Sequence, residues 1–153
     1  MAGTPWLTNE EARMWRAFID VSSGVLHRVE GDLKADSQLG FDDYEVLVHL
    51  SEHPERQLRM SDLSERLVAS KSGLTLRIDR LSKRGLVRRE PCEHDKRSIF
   101  AVLTDEGLDT ITRIAPNHVR SVRRHLLDAL TVADVTSVAD ALQRATSAFD
   151  VDE

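Results

Sequence analysis

The chain has 153 residues, 41% of them hydrophobic, and a formal net charge of −5. A chain of this length buries about 68–70% of its unfolded surface, so it can build a core without a disulfide or a structural metal. The lone Cys92 excludes an internal disulfide, and the sequence has no signal peptide and no apolar run of about 18 residues. We therefore predict that residues 1–153 form a single domain, and that the protein is cytoplasmic and does not bind a membrane.

The net charge hides a strong asymmetry along the chain. Residues 56–97 contain 12 Lys and Arg against 6 Asp and Glu, a net +6, whereas the rest contains 9 against 20, a net −11. A basic segment between two acidic ones is typical of a protein that binds a polyanion such as a nucleic acid. Charge alone leaves open the alternative of an ordinary solvated surface.

A capping box formed by Thr8 and Glu11 predicts the start of the first helix. Apolar residues then recur every three or four positions, at Trp15, Phe18, Ile19, Val25, Leu26, Val29 and Leu33. This stripe indicates one helix that is long for a small globular domain, and such a helix often packs on a partner subunit. A second helix is predicted to begin with Asp42 as its cap and to end near Glu52.

Two short helices follow, opened by Ser61 and Ser70. The second carries an apolar stripe at Leu74, Ile78 and Leu81, and Gly85 ends it. Since only the link at residues 68–69 separates them, the two helices are interpreted as a helix-turn-helix.

The C-terminal part begins with a predicted hairpin and ends with two helices. Residues 86–90 and 98–103 are short apolar runs on either side of the charged loop Cys92–Arg97. Thr104 then opens a long helix in which Pro116 is an expected kink, and Thr131 caps the last helix. The predicted fold is mainly α with a small β-hairpin wing: a winged helix-turn-helix flanked by long terminal helices.

The run LRMSDLSERLVASKSGLTLRIDRLSKRGLVRREPCEHDKRSIFAVLTDEG resembles the DNA-binding half of the MarR family of bacterial transcriptional regulators. The similarity is densest in SGLT with IDRLSKRGLVRR, in DKRS and in AVLTDEG. The flanking helices match the family in length and order, so the resemblance spans residues 8–150. It implies a winged helix-turn-helix lobe at residues 41–103 and dimerisation helices at residues 8–36 and 104–150.

The resemblance also implies a function. The expected protein is a homodimeric repressor of a pseudo-palindromic double-stranded DNA operator, with half-sites about 34–36 Å apart. A small aromatic or phenolic anion is expected to release it by binding between the dimerisation helices and the DNA-binding lobe, near Trp15, Tyr44 and His118. Neither a cofactor nor a metal is predicted.

The predicted recognition helix is the second of the helix-turn-helix. An advance of about 100° per residue from Leu74 puts Ser72, Leu76, Asp79, Arg80 and Lys83 on the outer face, with Thr75 and Arg77 at its flanks. Arginine offers a bidentate fork to guanine, and Ser or Thr can bond a base or a phosphate. Leu76 departs from the family, which often has a polar or basic residue there, so a relative's base preference does not transfer; a leucine at this position could touch a thymine methyl group.

In the charged loop, Arg97 resembles the family's wing arginine, which enters a minor groove. Asp95 is expected to orient it, and Lys96 and His94 to contact phosphates. The complete set of predicted DNA-binding residues is Arg59, Ser61, Ser70, Lys71, Ser72, Thr75, Leu76, Arg77, Arg80, Asp95, Lys96 and Arg97.

Three other functions have weaker support in the sequence. A metal-responsive regulator is one alternative, although Cys92, His94 and Asp95 lack a fourth ligand and the pair His49 and His53 sits at a helix end. A thiol-responsive regulator is another, because Cys92 is expected in an exposed loop. A winged-helix module for protein interaction is another, although it should lack a basic groove face. An enzyme is not expected, because the sequence has no Gly-rich phosphate loop, nucleophile elbow or paired His-Glu zinc motif.

Overall fold

The computed structural model describes residues 5–67, 70–92 and 98–148. In chain order the described elements are α1 (Asn9–Ser37), α2 (Phe41–Glu52), β1 (Gln57–Arg59), α3 (Met60–Arg66), α4 (Lys71–Lys83), β2 (Val87–Pro91), β3 (Ile99–Leu103), α5 (Asp105–His125), a 3-10 turn (Leu127–Ala129) and α6 (Val132–Ser147). This order confirms the predicted fold class. None of these helices is both long and apolar enough to cross a bilayer.

Side-chain caps fix several helix starts as predicted. The N–H of Thr8 donates to Glu11 Oε2 at 2.7 Å, and the N–H of Glu11 donates to Thr8 Oγ1 at 3.3 Å. Ser70 Oγ accepts from the amide three residues on at 3.1 Å. Thr131 and Asp134 form a reciprocal capping box at the start of α6. Each of these bonds satisfies a backbone donor that the helix leaves without an intrahelical partner.

Two helix starts differ from the prediction. Helix α2 begins at Phe41 with the preceding glycine as its N-cap, so Asp42 is not the cap. The Asp42 carboxylate instead forms an ion pair with Arg77 of α4. Helix α3 begins at Met60 rather than at Ser61, because strand β1 leads directly into it.

The wing is part of a three-stranded antiparallel sheet with the order β1-β3-β2. The predicted hairpin is confirmed as β2 and β3, in which Arg89 lies opposite Ala101. Strand β1, which the sequence did not predict, pairs on the other side of β3, with Leu58 also opposite Ala101. Beyond the strands, the N–H of Cys92 donates to the carbonyl of Ser98 at 2.9 Å and prolongs the hairpin.

The chain divides into two compact units, of which one is Glu30–His118. We call it the winged-helix unit. Its core contains Leu33, Leu39, Tyr44, Val46, Leu47, Leu50, Leu58, Leu63, Leu74, Ile78, Leu81, Leu86, Val87, Ala101, Val102, Leu103, Ile111 and Ile114. Helix α5 approaches this core closely: a Cβ added to Gly107 would lie 2.2 Å from the carbonyl oxygen of Leu86. Only glycine fits at that point without displacing the backbone.

The other unit consists of Met1–Val29 and Val119–Glu153. We call it the terminal-helix unit. Among its described residues only Val29 and Ser121 are buried, and every described residue of α6 is exposed. Its exposed apolar side chains are Trp6, Leu7, Met14, Trp15, Phe18, Ile19, Val21, Leu26, Val119, Val132, Val135, Val138 and Leu142. Stripes of this extent on the helix surfaces mark an interaction site.

Candidate nucleic-acid interface

Helix α4 has one buried and one exposed face, as predicted. Leu74, Ile78 and Leu81 are at most 1% exposed and anchor the helix in the core. On the opposite face Ser72 and Thr75 are exposed, and Leu76 protrudes with 61% of its surface accessible. The Thr75 hydroxyl donates to the carbonyl of Lys71 at 2.9 Å, which leaves its oxygen lone pairs to accept from another group.

The two arginines of α4 are held by carboxylates of α2, which sequence analysis missed. Arg77 Nη2 lies 2.8 Å from Asp42 Oδ2. Arg80 engages Asp43 through two atoms, with Nη2 2.7 Å from Oδ1 and Nε 3.3 Å from Oδ2. The hydrogen bonds that Arg80 donates to Asp43 raise the pKa of the Arg80 guanidinium. No local pattern signals such pairs, since the Arg80 and Asp43 partners are 37 residues apart.

Arg89 connects the wing to the recognition helix. Its Nη1 donates to Asp79 Oδ1 at 2.6 Å, and its Nη2 donates to the Thr75 carbonyl at 3.2 Å. Asp79, which the helix periodicity places on the outer face, is therefore paired with an arginine of the same unit. Strand β2 and helix α4 are tied together by one guanidinium.

A concave region of about 440 Å³ lies beside α4. It is lined by Arg59, Met60, Ser61, Thr75, Arg89, Ser98 and Ile99. The structure thus brings three of the predicted DNA-binding residues, Arg59, Ser61 and Thr75, to one place. The guanidinium carbon of Arg59 lies 5.8 Å from the centre of the Phe100 ring, which supports the arginine side chain at the edge of the sheet.

The basic segment is less basic in three dimensions than along the chain. Among the described residues, five arginines of this segment form ion pairs: Arg56 with Asp105, Arg77 with Asp42, Arg80 with Asp43, Arg88 with Glu90, and Arg89 with Asp79. Three of these carboxylates, at positions 42, 43 and 105, come from outside residues 56–97. The net +6 counted over the segment therefore overstates the charge that this surface presents.

The predicted wing-tip residues His94, Asp95, Lys96 and Arg97 lie outside the described residues, as does the helix-turn-helix link at 68–69. Cys92, which borders the tip, is only 7% exposed, so the expectation of an exposed cysteine is wrong. The hairpin bond of its amide holds it against the sheet. In the parts of the chain that the structure describes, no group of three His, Cys, Asp or Glu side chains could hold a metal ion.

The predicted ligand residues fall into two groups. Tyr44 and His118 meet in the winged-helix unit, with ring centroids 4.4 Å apart, and Phe41 lies 6.4 Å from His118. His118 Nδ1 is buried and forms no hydrogen bond with any described residue. Burial lowers the pKa of His118 and raises the pKa of Tyr44. Trp15 belongs to the terminal-helix unit, where it stacks on Phe18 at 6.2 Å.

A helix-turn-helix backed by a three-stranded sheet, with a solvent-facing second helix, defines a winged-helix protein. A sequence model of the MarR family matches residues 37–98. The chain is 44% identical to AbsC, a MarR family transcriptional regulator from Streptomyces coelicolor; the match covers 96% of this chain and 99% of that one, with a TM-score of 0.91. The chain belongs to the MarR family.

Two further relatives are informative. Sco3205, a MarR family transcriptional regulator from Streptomyces coelicolor solved in complex with DNA, is 36% identical over 97% of this chain and 92% of that chain, with a TM-score of 0.92. The HTH-type transcriptional regulator PecS of Dickeya dadantii (strain 3937) is 43% identical over 63 residues. That match covers 41% of this chain and only 38% of PecS.

Proposed function

We propose that the chain is a sequence-specific DNA-binding transcriptional regulator that represses transcription from a pseudo-palindromic operator as a homodimer. The exposed face of α4, with Ser72, Thr75 and Leu76 above a buried leucine stripe, carries this proposal. The DNA complex of Sco3205, 36% identical to this chain, supports it. The protein acts in the cytoplasm and has no catalytic role.

In this proposal α4 enters the major groove. Ser72, Thr75 and Leu76 face the base edges, while Ser70 and Lys71 at the helix N-terminus contact phosphates, which the helix dipole favours. Arg59 and Ser61, which are two of the residues that line the concave region, lie against the sugar-phosphate backbone of the DNA. The wing residues Asp95, Lys96 and Arg97 complete the contact from the minor-groove side. Arg77 and Arg80 border the site with their carboxylate partners.

A second copy of the chain covers the terminal-helix unit. This unit contains an apolar groove of about 520 Å³, lined by Met14, Ala17, Phe18, Val21, Ser22, Val25, Leu26, Leu126, Val138, Ala141 and Leu142. A two-fold dimer would bury this apolar surface, and its removal from water favours association. The same two-fold axis places two recognition helices on successive turns of DNA, about 34–36 Å apart.

A small aromatic or phenolic anion releases the DNA. The adjoining rings of Tyr44 and His118, with the Nδ1 of His118 that has no hydrogen-bond partner among the described residues, offer one aromatic surface and one polar atom for such a molecule. The ligand must bind the DNA-free conformation more tightly than the DNA-bound one, since otherwise no equilibrium shifts. A panel of phenolic and aromatic acids that left operator affinity unchanged would remove this part of the proposal.

The test is selection of DNA fragments from a random library by the purified protein, followed by sequencing. Enrichment of a pseudo-palindrome is expected, and absence of any enriched sequence would show the proposed function to be wrong. On the selected site, Thr75→Ala should change the preferred base, and Arg97→Ala should make the salt dependence of binding shallower by about one unit for each arginine removed from the DNA. Arg13→Ala is a control with the same charge change, because Arg13 lies on α1 and pairs with Glu10.

A further inference from the structure

We propose that Leu76 is a specificity-determining residue that contacts the 5-methyl group of a thymine, while Asp42 and Asp43 hold Arg77 and Arg80 in ion pairs with α2. This inference rests on the proposed function, because it assigns a role within the DNA interface. It predicts that the middle of the exposed face of α4 contacts the apolar edge of a thymine.

The position of Leu76 is unusual for a leucine. An isolated exposed leucine is ordinary in a soluble protein. Leu76, however, is 61% exposed on the face of α4 opposite the buried Leu74, and its exposed neighbours Ser72 and Thr75 have small side chains. It is therefore larger than its two exposed neighbours on that face, and it is open to contact with a groove.

The side chains that usually read guanine are already engaged. Arg77 is half-buried, with 20% of its side chain accessible, and its Nη2 lies 2.8 Å from Asp42 Oδ2. In Arg80 the edge formed by Nε and Nη2 binds both carboxylate oxygens of Asp43. A guanidinium reads guanine O6 and N7 with a pair of parallel N–H donors, and in Arg80 the pair formed by Nε and Nη2 is already bound by Asp43. Reading guanine with this edge of Arg80 would break its bonds to Asp43, whose side chain is only 13% accessible.

The remaining chemistry of the face is complementary to thymine. In the major groove the thymine methyl group is the one apolar feature that a base pair presents. A leucine pressed against the edge of any other base would cover donors or acceptors without replacing their hydrogen bonds to water, which is costly. Ser72 and Thr75 can donate to or accept from the neighbouring bases, so they orient the helix without demanding guanine.

The experiment removes the methyl group from the DNA and the side chain from the protein. The operator is first selected with the purified wild-type protein, and each thymine of its half-sites is then replaced by deoxyuridine, which keeps the hydrogen-bonding edge and lacks only the methyl. At one symmetric position, this replacement should weaken binding about fourfold per half-site, or about sixteenfold when both half-sites are changed. The factor follows from the free energy of burying about one methylene group, since about 1.4 kcal/mol corresponds to a tenfold change in affinity. Leu76→Ala should lose a similar factor on thymine DNA and be insensitive to deoxyuridine there.

Two controls make the outcome specific. Leu76→Met keeps an apolar side chain of similar reach and should retain the methyl dependence. Arg13→Ala changes an exposed residue of α1 outside the proposed interface and should leave the methyl dependence intact. Since all of these positions are exposed and all replacements favour helix, the variants should fold.

The outcomes separate the two proposals. If the wild type binds its operator equally well with thymine and deoxyuridine at every position, or if Leu76→Ala keeps the methyl dependence, the role of Leu76 is wrong while DNA binding stands. If no DNA is selected at all, the proposed function fails and takes this inference with it.

Discussion

The two units of the molecule differ in where they put their apolar side chains. The winged-helix unit buries them, and Leu47 of α2, Leu63 of α3 and Leu81 of α4 are fully inaccessible. The terminal-helix unit has apolar residues at helical spacing too, yet α6 contributes no buried residue. Because apolar burial is the main favourable term in folding, the first unit is stabilised by its own contacts and the second needs another surface. Similar hydrophobic stripes in a sequence therefore have different meanings in the two units.

The sharpest test of this difference is the same substitution in both units. Leu81→Ala, at a position that is 0% exposed, should lower the free energy of unfolding by about 2–5 kcal/mol. The loss arises because fewer apolar atoms are buried and because a cavity remains in the core. Leu142→Ala, at a position that is 46% exposed in the single chain, should have its main effect on dimerisation. Urea unfolding at several protein concentrations measures both, and equal concentration-independent losses would contradict the comparison.

A charge in the apolar groove should break the dimer. Phe18→Asp places a carboxylate where a second copy would bury it, which costs about 3 kcal/mol and weakens dimerisation by about a hundredfold or more. Sedimentation velocity should then show monomers at micromolar concentration. Ser23→Asp adds the same charge to an exposed position of α1 outside the groove lining and should leave the dimer intact.

Within the winged-helix unit, the two ion pairs of α4 should differ in their contribution to stability. Arg80→Ala leaves Asp43, with 13% of its side chain exposed, without its charged partner, and should cost about 1–3 kcal/mol. Arg77→Ala leaves Asp42, which is 61% exposed and is solvated by water, and removal of that pair should cost less than about 1 kcal/mol. Denaturant unfolding near neutral pH would refute the ranking if Arg77→Ala were the more damaging change.

The smallest expected effect is a pH dependence from His118. Burial lowers the pKa of its imidazole below the ordinary value of 6.5, so below pH 6.5 the unfolded chain takes up a proton before the folded chain does. The free energy of unfolding should therefore fall as the pH drops through the window between 6.5 and the lowered pKa, and should be unaffected by this group above 6.5. Thermal unfolding of the wild type and of His118→Gln over this window measures the contribution as the difference in slope.

Local signals in the sequence were enough to predict the order of the six helices and the β2-β3 hairpin. The caps at Thr8, Ser70 and Thr131 and the leucine stripe of α4 are each encoded within a few residues, and the structure contains all of them. Such signals act through neighbouring backbone groups and helical periodicity, so they need no knowledge of the tertiary fold.

Features that depend on distant parts of the chain could not be predicted in this way. Strand β1 has three residues and becomes a strand only because β3 pairs with it. The carboxylates at positions 42 and 43 looked like helix-starting residues, and only the packing of α2 near α4 makes them partners of arginines. Cys92 is 7% exposed, and its amide bonds across the hairpin to the carbonyl of Ser98, so it extends the sheet and does not lie in an open loop. Tertiary contacts decided each of these cases against the local pattern.

The division of α4 into two faces also bears on how such a protein evolves. Ser72, Thr75 and Leu76 contribute nothing to the core, whereas Leu74, Ile78 and Leu81 supply its centre. Under the proposed function, a mutation at one of the first three positions can change operator preference while the chain stays as stable as its parent. After gene duplication, paralogues of this regulator can therefore acquire new operators by single substitutions, without a compensating change elsewhere in the fold.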